Sequence, residues 1–192
     1  KGKTFKVIKK TLEKLGYHIR SEVLNSMTHG NIPQNRERIF IVGFLDKEKA
    51  NKFKFPKSMK LTRNFRQFID NQVSNRYYYN DKPLFNRIKK KINSENIVYQ
   101  WRRRYVRENK SGVVPTLTAN MGTGGHNVPI VKNGNGIRKL TPKECFLLQG
   151  FPQSFKLPNI ADSRLYHQAG NSVTVPVVER IAKEMMRVLQ DS

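Results

Sequence analysis

The fold is decided by one stretch of sequence, Pro33-Gln-Asn-Arg-Glu-Arg-Ile-Phe-Ile-Val-Gly43. It leads from a polar loop into the nearly all-apolar run from Arg38 to Phe44, which is typical of a strand covered on both faces. Ahead of it, apolar residues at helical spacing predict an amphipathic helix over 3–15 that ends at Gly16 and packs on a sheet. Alternation from Tyr17 to Val23 then predicts a half-buried strand. The chain is therefore predicted to begin as an α/β fold.

A strongly basic segment follows this beginning. The 192 residues include 37 Lys and Arg against 14 Asp and Glu, which gives a formal net charge of +23. Residues 46–136 contain 20 of these basic residues and 6 of the acidic ones, with little periodicity, and so indicate a separate lobe. Such a charge attracts phosphate backbones or an anionic membrane surface. Because no helix pairs a basic face with a Trp, Phe and Leu face, nucleic acid is the favoured partner, and a merely solubilising charge is the alternative.

The composition excludes several classes of protein. The single cysteine, Cys145, excludes a disulfide framework and a cysteine-rich zinc module, and the four scattered histidines predict no metal site. No apolar run is long enough to span a bilayer, so we expect no membrane partner and a cytoplasmic, nucleoid-associated protein of a microbe. The first residue, Lys1, is not methionine, which suggests that the chain begins partway through a longer one.

Two further stretches lie in the last third of the chain. The first is Arg138-Lys-Leu-Thr-Pro-Lys-Glu-Cys-Phe-Leu-Leu-Gln-Gly-Phe-Pro152, whose capping box predicts a helix over 142–149. The second is Gln168-Ala-Gly-Asn-Ser-Val-Thr-Val-Pro176, directly before an amphipathic helix predicted over 175–189. The apolar stripes of the first and last helices predict a partner surface that covers them.

The three stretches, in this order and at these separations, resemble the eighth, ninth and tenth motifs of the cytosine-5 DNA methyltransferases, including those of restriction-modification systems. The resemblance implies an α/β fold: the C-terminal part of a Rossmann-like S-adenosylmethionine-dependent methyltransferase domain plus a small, mostly β target-recognition lobe. It also implies boundaries. Residues 1–60 and 171–192 belong to the catalytic domain, 61–143 to the target-recognition domain, and 144–170 to a hinge.

The early motifs of that family are absent from these residues. They include a Gly-rich cofactor loop and a Pro-Cys pair that bears the nucleophile, whereas Cys145 lies inside the capped helix and is predicted to be a small buried residue. The resemblance implies three partners: duplex DNA, S-adenosylmethionine as cofactor, and an N-terminal half on the same polypeptide or on a separate subunit. In the family reaction a thiolate adds to C6 of a flipped cytosine and C5 takes the methyl group.

Two arginines are the candidate catalytic residues. Arg36 and Arg38 are two apart at the start of a strand, so both guanidinium groups project to one side and suit a carbonyl, carboxylate or phosphate. The resemblance implies that Arg38 helps to hold O2 of the flipped cytosine and the acidic group at N3. Gln34 and Arg36 are expected to brace that loop or to touch DNA. A structural pair that satisfies loop carbonyls is the alternative.

Asn171 and Ser172 are the candidate cofactor-binding residues. They precede the last helix, whose N-terminal amides and dipole favour an anion. The resemblance implies that both close the S-adenosylmethionine pocket near the amino-acid carboxylate. A simple helix cap by Ser172, with Asn171 in a turn, is the alternative.

The candidate DNA-binding residues lie mostly in the basic lobe. The segment 99–107 interleaves aromatic side chains with cationic and amide groups, and the pair at 116–117 resembles the family's Thr-Leu element before a glycine-rich turn. The candidates are Gln34, Arg102, Arg103, Arg104, Arg107, Thr116, Leu117, Thr118, Gly122, Thr123 and Arg138. A solvated charged face and an ordinary hairpin are the alternatives here. For the whole chain, a non-catalytic DNA-binding or regulatory module and an RNA-directed methyltransferase of the same fold remain open.

Overall fold

A helix and two long antiparallel strands frame the N-terminal part. In the computed structural model, which describes residues 2–109, 111–121 and 128–190, helix α1 spans Lys3–Lys14 and ends where Gly16 takes a positive φ of 89°. Strand β1, His18–Asn25, is followed by helix α2, Ser26–Gly30, and by the short strand β2, Gln34–Asn35. Strand β3, Glu37–Phe44, then pairs with β1 in antiparallel register over its full length.

The basic segment forms a small lobe around a four-stranded sheet. Helix α3, Lys47–Lys52, leads into it, and helix α4, Phe85–Ile88, precedes its strands. The strands are β4, Val98–Trp101, β5, Val106–Asn109, β6, Val114–Pro115, β7, Ile130–Asn133, and β8, Gly136–Lys139. Four of them form an antiparallel sheet in the order β5-β4-β7-β8. Strand β6 instead pairs in parallel with β2 and so ties the lobe to the N-terminal part.

Three helices complete the structure: α5, Pro142–Leu147, α6, Asp162–Asn171, and α7, Val175–Gln190. The predictions of α5 and α7 are confirmed, whereas α6 was not predicted from the sequence. The largest apolar core joins α5 and α6 to the basic lobe, with Cys145 and Tyr166 packed in one cluster with Phe65 and Leu117. The segment 144–170, which the motifs assign to a hinge, therefore packs in the same core as the small lobe.

Only one face of the β1–β3 sheet is covered. Leu24 and Val42 on that face pack in one cluster with Val177 of α7 and with α3. On the other face, Val23 is 53% exposed and Ile39 is 42% exposed. The prediction that the run ending at Phe44 is covered on both faces is wrong for this chain, because the second face keeps exposed apolar side chains.

The two predicted apolar stripes have different outcomes. Helix α1 contacts β1, and its Phe5 and Leu12 are partly buried, but it buries no residue fully and its Ile8 is 42% exposed. Its predicted packing on the sheet is therefore only partly realised within this chain. In α7, Val177 and Ile181 are buried against the β1–β3 sheet, so the expectation that this stripe needs a partner surface is wrong. The exposed apolar surface therefore consists of α1 and the face of the β1–β3 sheet that carries Val23 and Ile39.

A buried ion pair anchors α5 to the small lobe. The Glu144 carboxylate accepts hydrogen bonds from Nη1 and Nη2 of Arg138, at 2.9 and 2.7 Å, and from the backbone N–H of Asp70 at 2.7 Å. It also accepts from the N–H of Thr141, whose hydroxyl accepts from the N–H of Glu144, which completes the predicted capping box. Arg138 is fully buried and donates to the Asp70 carbonyl as well, so its charge is compensated on two sides.

We expect Glu144→Ala to lower the free energy of unfolding by about 3–5 kcal/mol, because it leaves a buried arginine charge unpaired and removes a helix cap. Urea unfolding followed by circular dichroism measures the loss. Glu95→Ala is the matched control, since its ion pair with Arg66 is largely exposed and should contribute less than about 1 kcal/mol. Similar losses in both variants would contradict the anchoring role of Glu144.

Candidate active site and nucleic-acid interface

Gln34 lies in the interior at the junction between the two parts of the chain. It is fully buried, and its Oε1 accepts a hydrogen bond from the backbone N–H of Leu117 at 3.0 Å. Its Nε2 donates to the carbonyl of Leu148 at 2.7 Å and to Oε1 of Gln149 at 3.2 Å. A DNA contact by Gln34 does not fit this position, because the amide has no exposed surface. The bracing role is the one that the geometry supports.

Arg36 joins three segments through one guanidinium group. It is 4% exposed, and its Nη1 donates to the carbonyl of Leu117 at 2.6 Å. Its Nη2 donates to the carbonyls of Gly170 and Ser172 at 3.1 and 2.8 Å. Burial, and then the nearby Arg38 charge, lowers the pKa of Arg36 to about 10, which leaves it cationic at neutral pH. Both Nη atoms are taken up by protein carbonyls, while Nε is buried and has no partner within the described residues. The geometry therefore makes Arg36 a positioning residue and corrects the expectation that it is catalytic.

A second buried amide, Gln149, extends this arrangement to the start of α7. Its Nε2 donates to the carbonyl of Ala169 at 2.8 Å, and its Oε1 accepts from the Thr174 hydroxyl at 3.3 Å. That hydroxyl also shares a hydrogen bond of 2.6 Å with the Ser26 hydroxyl. Sequence reasoning missed Gln149, Thr174 and Ser26. The sequence did offer one signal for Gln149, because it is a lone amide that follows the apolar end of α5.

The backbone of α6 lies directly against the backbone of the basic lobe at Gly170. A Cβ atom added there would stand 2.2 Å from the carbonyl carbon and oxygen of Thr118. No side chain fits between the two segments. The loop after Leu117 and the end of α6 are therefore held in one fixed relation.

A cavity of about 320 Å³ brings the catalytic and cofactor candidates together. Arg38, Asn171 and Ser172 all line it, together with Ile39 and Thr174. Arg38 is exposed, and its Nη1 donates to the carbonyl of its neighbour Glu37 at 2.7 Å, the one side-chain hydrogen bond that it makes within the described residues. Arg36 lines the same cavity, but it is buried and bonded to protein carbonyls, whereas Arg38 is exposed.

Asn171 and Ser172 present a polar wall of this cavity at the junction of α6 and α7. Asn171 is exposed, and its Nδ2 lies 3.3 Å from Nδ1 of His167. The Ser172 hydroxyl donates to the carbonyl of Ala169 at 2.8 Å, which caps α6 and leaves its oxygen able to accept. An amide donor beside a helix N-terminus suits a carboxylate, so these residues fit the amino-acid end of S-adenosylmethionine.

The exposed arginines cluster around one hairpin of the small lobe. Residues 102–105 connect β4 to β5, and Arg103 adopts a positive φ of 64° at their centre. Arg102, Arg103, Arg104 and Arg107 are all exposed. An open polar groove of about 550 Å³ runs beside the hairpin and is lined by Arg102, Arg107, Thr116 and Thr118. These candidates therefore share one surface.

Other DNA-binding candidates do not reach that surface. Leu117 and Arg138 are fully buried, so direct DNA contact by either is corrected. Leu117 packs in the main core, and Arg138 is held by Glu144 as described above. Gly122 and Thr123 lie outside the described residues.

Cys145 has none of the surroundings of a nucleophile. It is fully buried, and burial, followed by the nearby Glu144 charge, raises the pKa of its thiol well above the ordinary value. Over the ranges 2–109, 111–121 and 128–190, the structure brings together no group of three His, Cys, Asp or Glu that could hold a metal ion. In the same ranges no helix is both long and apolar enough to cross a membrane.

The chain shares its fold with solved methyltransferase structures. The chain superimposes on the structure of a methyltransferase from Entamoeba histolytica, EhMeth, with a TM-score of 0.68 at 19% identity, covering 99% of this chain and 60% of that one. It superimposes on the Dnmt2 methyltransferase of S. pombe with a TM-score of 0.69 at 17% identity, covering 99% and 64%. The chain belongs to the family of C-5 cytosine-specific DNA methylases, which it matches over residues 1–187.

Curated relatives extend beyond the part that this chain matches. The chain is 53% identical over 190 residues to the Type II methyltransferase M.Bsp6I of Bacillus sp. (strain RFL6), covering 97% of this chain and 60% of that protein. It is 39% identical over 193 residues to the Type II methyltransferase M.HaeII of Haemophilus aegyptius, covering 98% and 57%. The chain therefore spans little more than half the length of the relatives that it matches.

We expect Arg36→Ala to destabilise the protein by about 3 kcal/mol or more, because three carbonyls lose a shared donor and each unpaired buried group costs about 1–3 kcal/mol. Arg36→Lys should recover part of the loss, since an ammonium group keeps the charge but not the fork. Arg38→Ala is the matched control and should change stability by less than about 0.5 kcal/mol. Urea unfolding compares the three variants, and an Arg36→Ala loss no larger than that of Arg38→Ala would refute the bracing role.

Proposed function

We propose that this chain is the C-terminal part of a DNA (cytosine-5)-methyltransferase, which transfers a methyl group from S-adenosylmethionine to C5 of cytosine in a specific duplex sequence. The observation that carries the proposal is the convergence of Arg38, Asn171 and Ser172 on one cavity. Family membership supports the same reaction, and the relatives named as Type II methyltransferases favour a restriction-modification system. The chain supplies DNA recognition and closes the cofactor pocket.

Each cavity residue has a separate task in this proposal. Arg38 directs its guanidinium donors toward O2 of the flipped cytosine and toward the acidic group at N3, which another part of the enzyme provides. Asn171 and Ser172 hold the amino-acid end of S-adenosylmethionine, which supplies the methyl group when it is bound. Arg36 fixes the Ser172 carbonyl through a hydrogen bond of 2.8 Å and so keeps this wall in place.

The nucleophile and the Gly-rich cofactor loop lie in an N-terminal half, on the same polypeptide or on a separate subunit. The open face of the β1–β3 sheet, with Val23 and Ile39 exposed, and the uncovered helix α1 are where that half packs. The net charge of +23 and the arginine-rich hairpin support duplex DNA as the substrate.

Tritiated-methyl incorporation into duplex DNA tests the proposal with this chain alone, with the N-terminal half alone and with the two combined. We expect activity only in the combined sample, because the cofactor pocket and the nucleophile are divided between the halves. Val23→Asp should abolish assembly, since it puts a charge on the face to be buried. Val178→Asp, on an exposed position of α7, is the control. Activity of this chain alone, or none from a folded assembly, would contradict the proposal, and the latter would favour a regulatory DNA-binding module.

In the assembled enzyme, Arg38→Ala should lower kcat by about a hundredfold or more while DNA affinity changes little, because its contacts form on the flipped base and strengthen as charge develops on the ring. Single-turnover methylation and fluorescence-anisotropy titrations separate the two quantities. Arg164→Ala, an exposed arginine of α6, controls for the loss of one positive charge. Turnover within a few fold of the wild type would make Arg38 structural.

A further inference from the structure

Gln100 is a largely buried glutamine whose amide reaches a polar groove. It lies in β4, is 7% exposed, and lines the polar groove beside the arginine-rich hairpin. Within the described residues no hydrogen bond is found for its amide, and the amide is not among the fully buried atoms without a partner, so it stays open to the groove. An amide that is open to a groove can both donate and accept hydrogen bonds to a ligand that enters it.

The residue opposite Gln100 is Arg107. The two are direct cross-strand partners in the β4–β5 pair, so their side chains project from the same face of the sheet. Both line the groove, whereas Tyr99 and Trp101, on the alternate face, pack into the lobe's own core. Arg107 is exposed, and within the described residues its guanidinium makes no hydrogen bond either. The sheet thus presents one amide and one guanidinium side by side.

We propose that Gln100 and Arg107 together recognise one G·C base pair in the major groove of the DNA substrate, an inference that rests on the proposed function. Arg107 donates to N7 and O6 of the guanine, and Oε1 of Gln100 accepts from the N4 amino group of the paired cytosine. The hairpin formed by β4 and β5 is a two-stranded ribbon of the kind that enters a major groove.

The hydrogen-bonding groups of Gln100 and Arg107 favour a G·C base pair over an A·T base pair or a phosphate. Along its major-groove edge a G·C pair presents two acceptors followed by a donor, which is the complement of a guanidinium beside an amide oxygen. An A·T pair presents a donor between two acceptors, so Arg107 would face an amino group. A phosphate offers acceptors only and leaves Oε1 of Gln100 unpaired. Recognition of a G·C pair therefore satisfies both side chains at once.

Selection from a randomised duplex library tests the pair with the assembled enzyme, and methylation of the bound duplexes is scored separately by bisulfite sequencing. We expect the wild type to require a G·C pair at a position other than the target cytosine. Gln100→Ala and Arg107→Lys should each relax that same position about tenfold to a hundredfold and leave the others unchanged. Gln153→Ala and Arg164→Lys are the matched controls, because neither residue lines the groove.

The outcomes separate this inference from the proposed function. Loss of base selectivity at one position shared by the two variants supports joint recognition by Gln100 and Arg107, whether or not the bound duplexes are methylated. Unchanged selectivity in both folded variants, or relaxation at two different positions, overturns it. Selection without methylation by the wild type would overturn the proposed enzyme activity while still reporting on Gln100 and Arg107. A wild type that selects no sequence overturns both.

Discussion

The Arg36 guanidinium is buried where four segments of the chain meet, and the rest of the structure depends on the hydrogen bonds that it makes there. Arg36 reaches the carbonyls of Leu117, Gly170 and Ser172, and its neighbour Gln34 reaches Leu117 and Gln149. These contacts span up to 136 positions along the chain. A buried charge tolerates few geometries, so meeting its requirements places the recognition lobe, α6 and the start of α7 together.

This arrangement also explains why two arginines in one motif behave differently. Arg36 lies between β2 and β3 and is 4% exposed, whereas Arg38 belongs to β3 and is exposed. Burial, and then the positive charge of Arg38, lowers the pKa of Arg36 to about 10. Arg36 is fixed by hydrogen bonds to carbonyls, whereas Arg38 is exposed and can meet a ligand. Both line the cavity, which therefore has a positively charged wall.

Much of the fold was predictable because its signals are local. Gly16 ends α1, the Thr141–Glu144 capping box starts α5, and the period of α7 marks its buried side. Helix α6 was missed because its N-cap, Ala161, makes no side-chain hydrogen bond and carries no capping signal. The burial of Gln34, Leu117 and Arg138 was missed because it depends on partners distant in sequence. The convergence of Arg38 with Asn171 came from motif resemblance and not from periodicity, since 133 positions separate them.

The backbone contact between Gly170 and Thr118 bears on how such proteins diversify. Because no Cβ fits there, the segment at Thr118 and the end of α6 cannot change independently. The hairpin at 102–105 has no comparable constraint, since its side chains are exposed. Substitutions on the hairpin can therefore alter the exposed surface of the small lobe while the packing behind it stays the same. One scaffold can in this way carry many different surfaces.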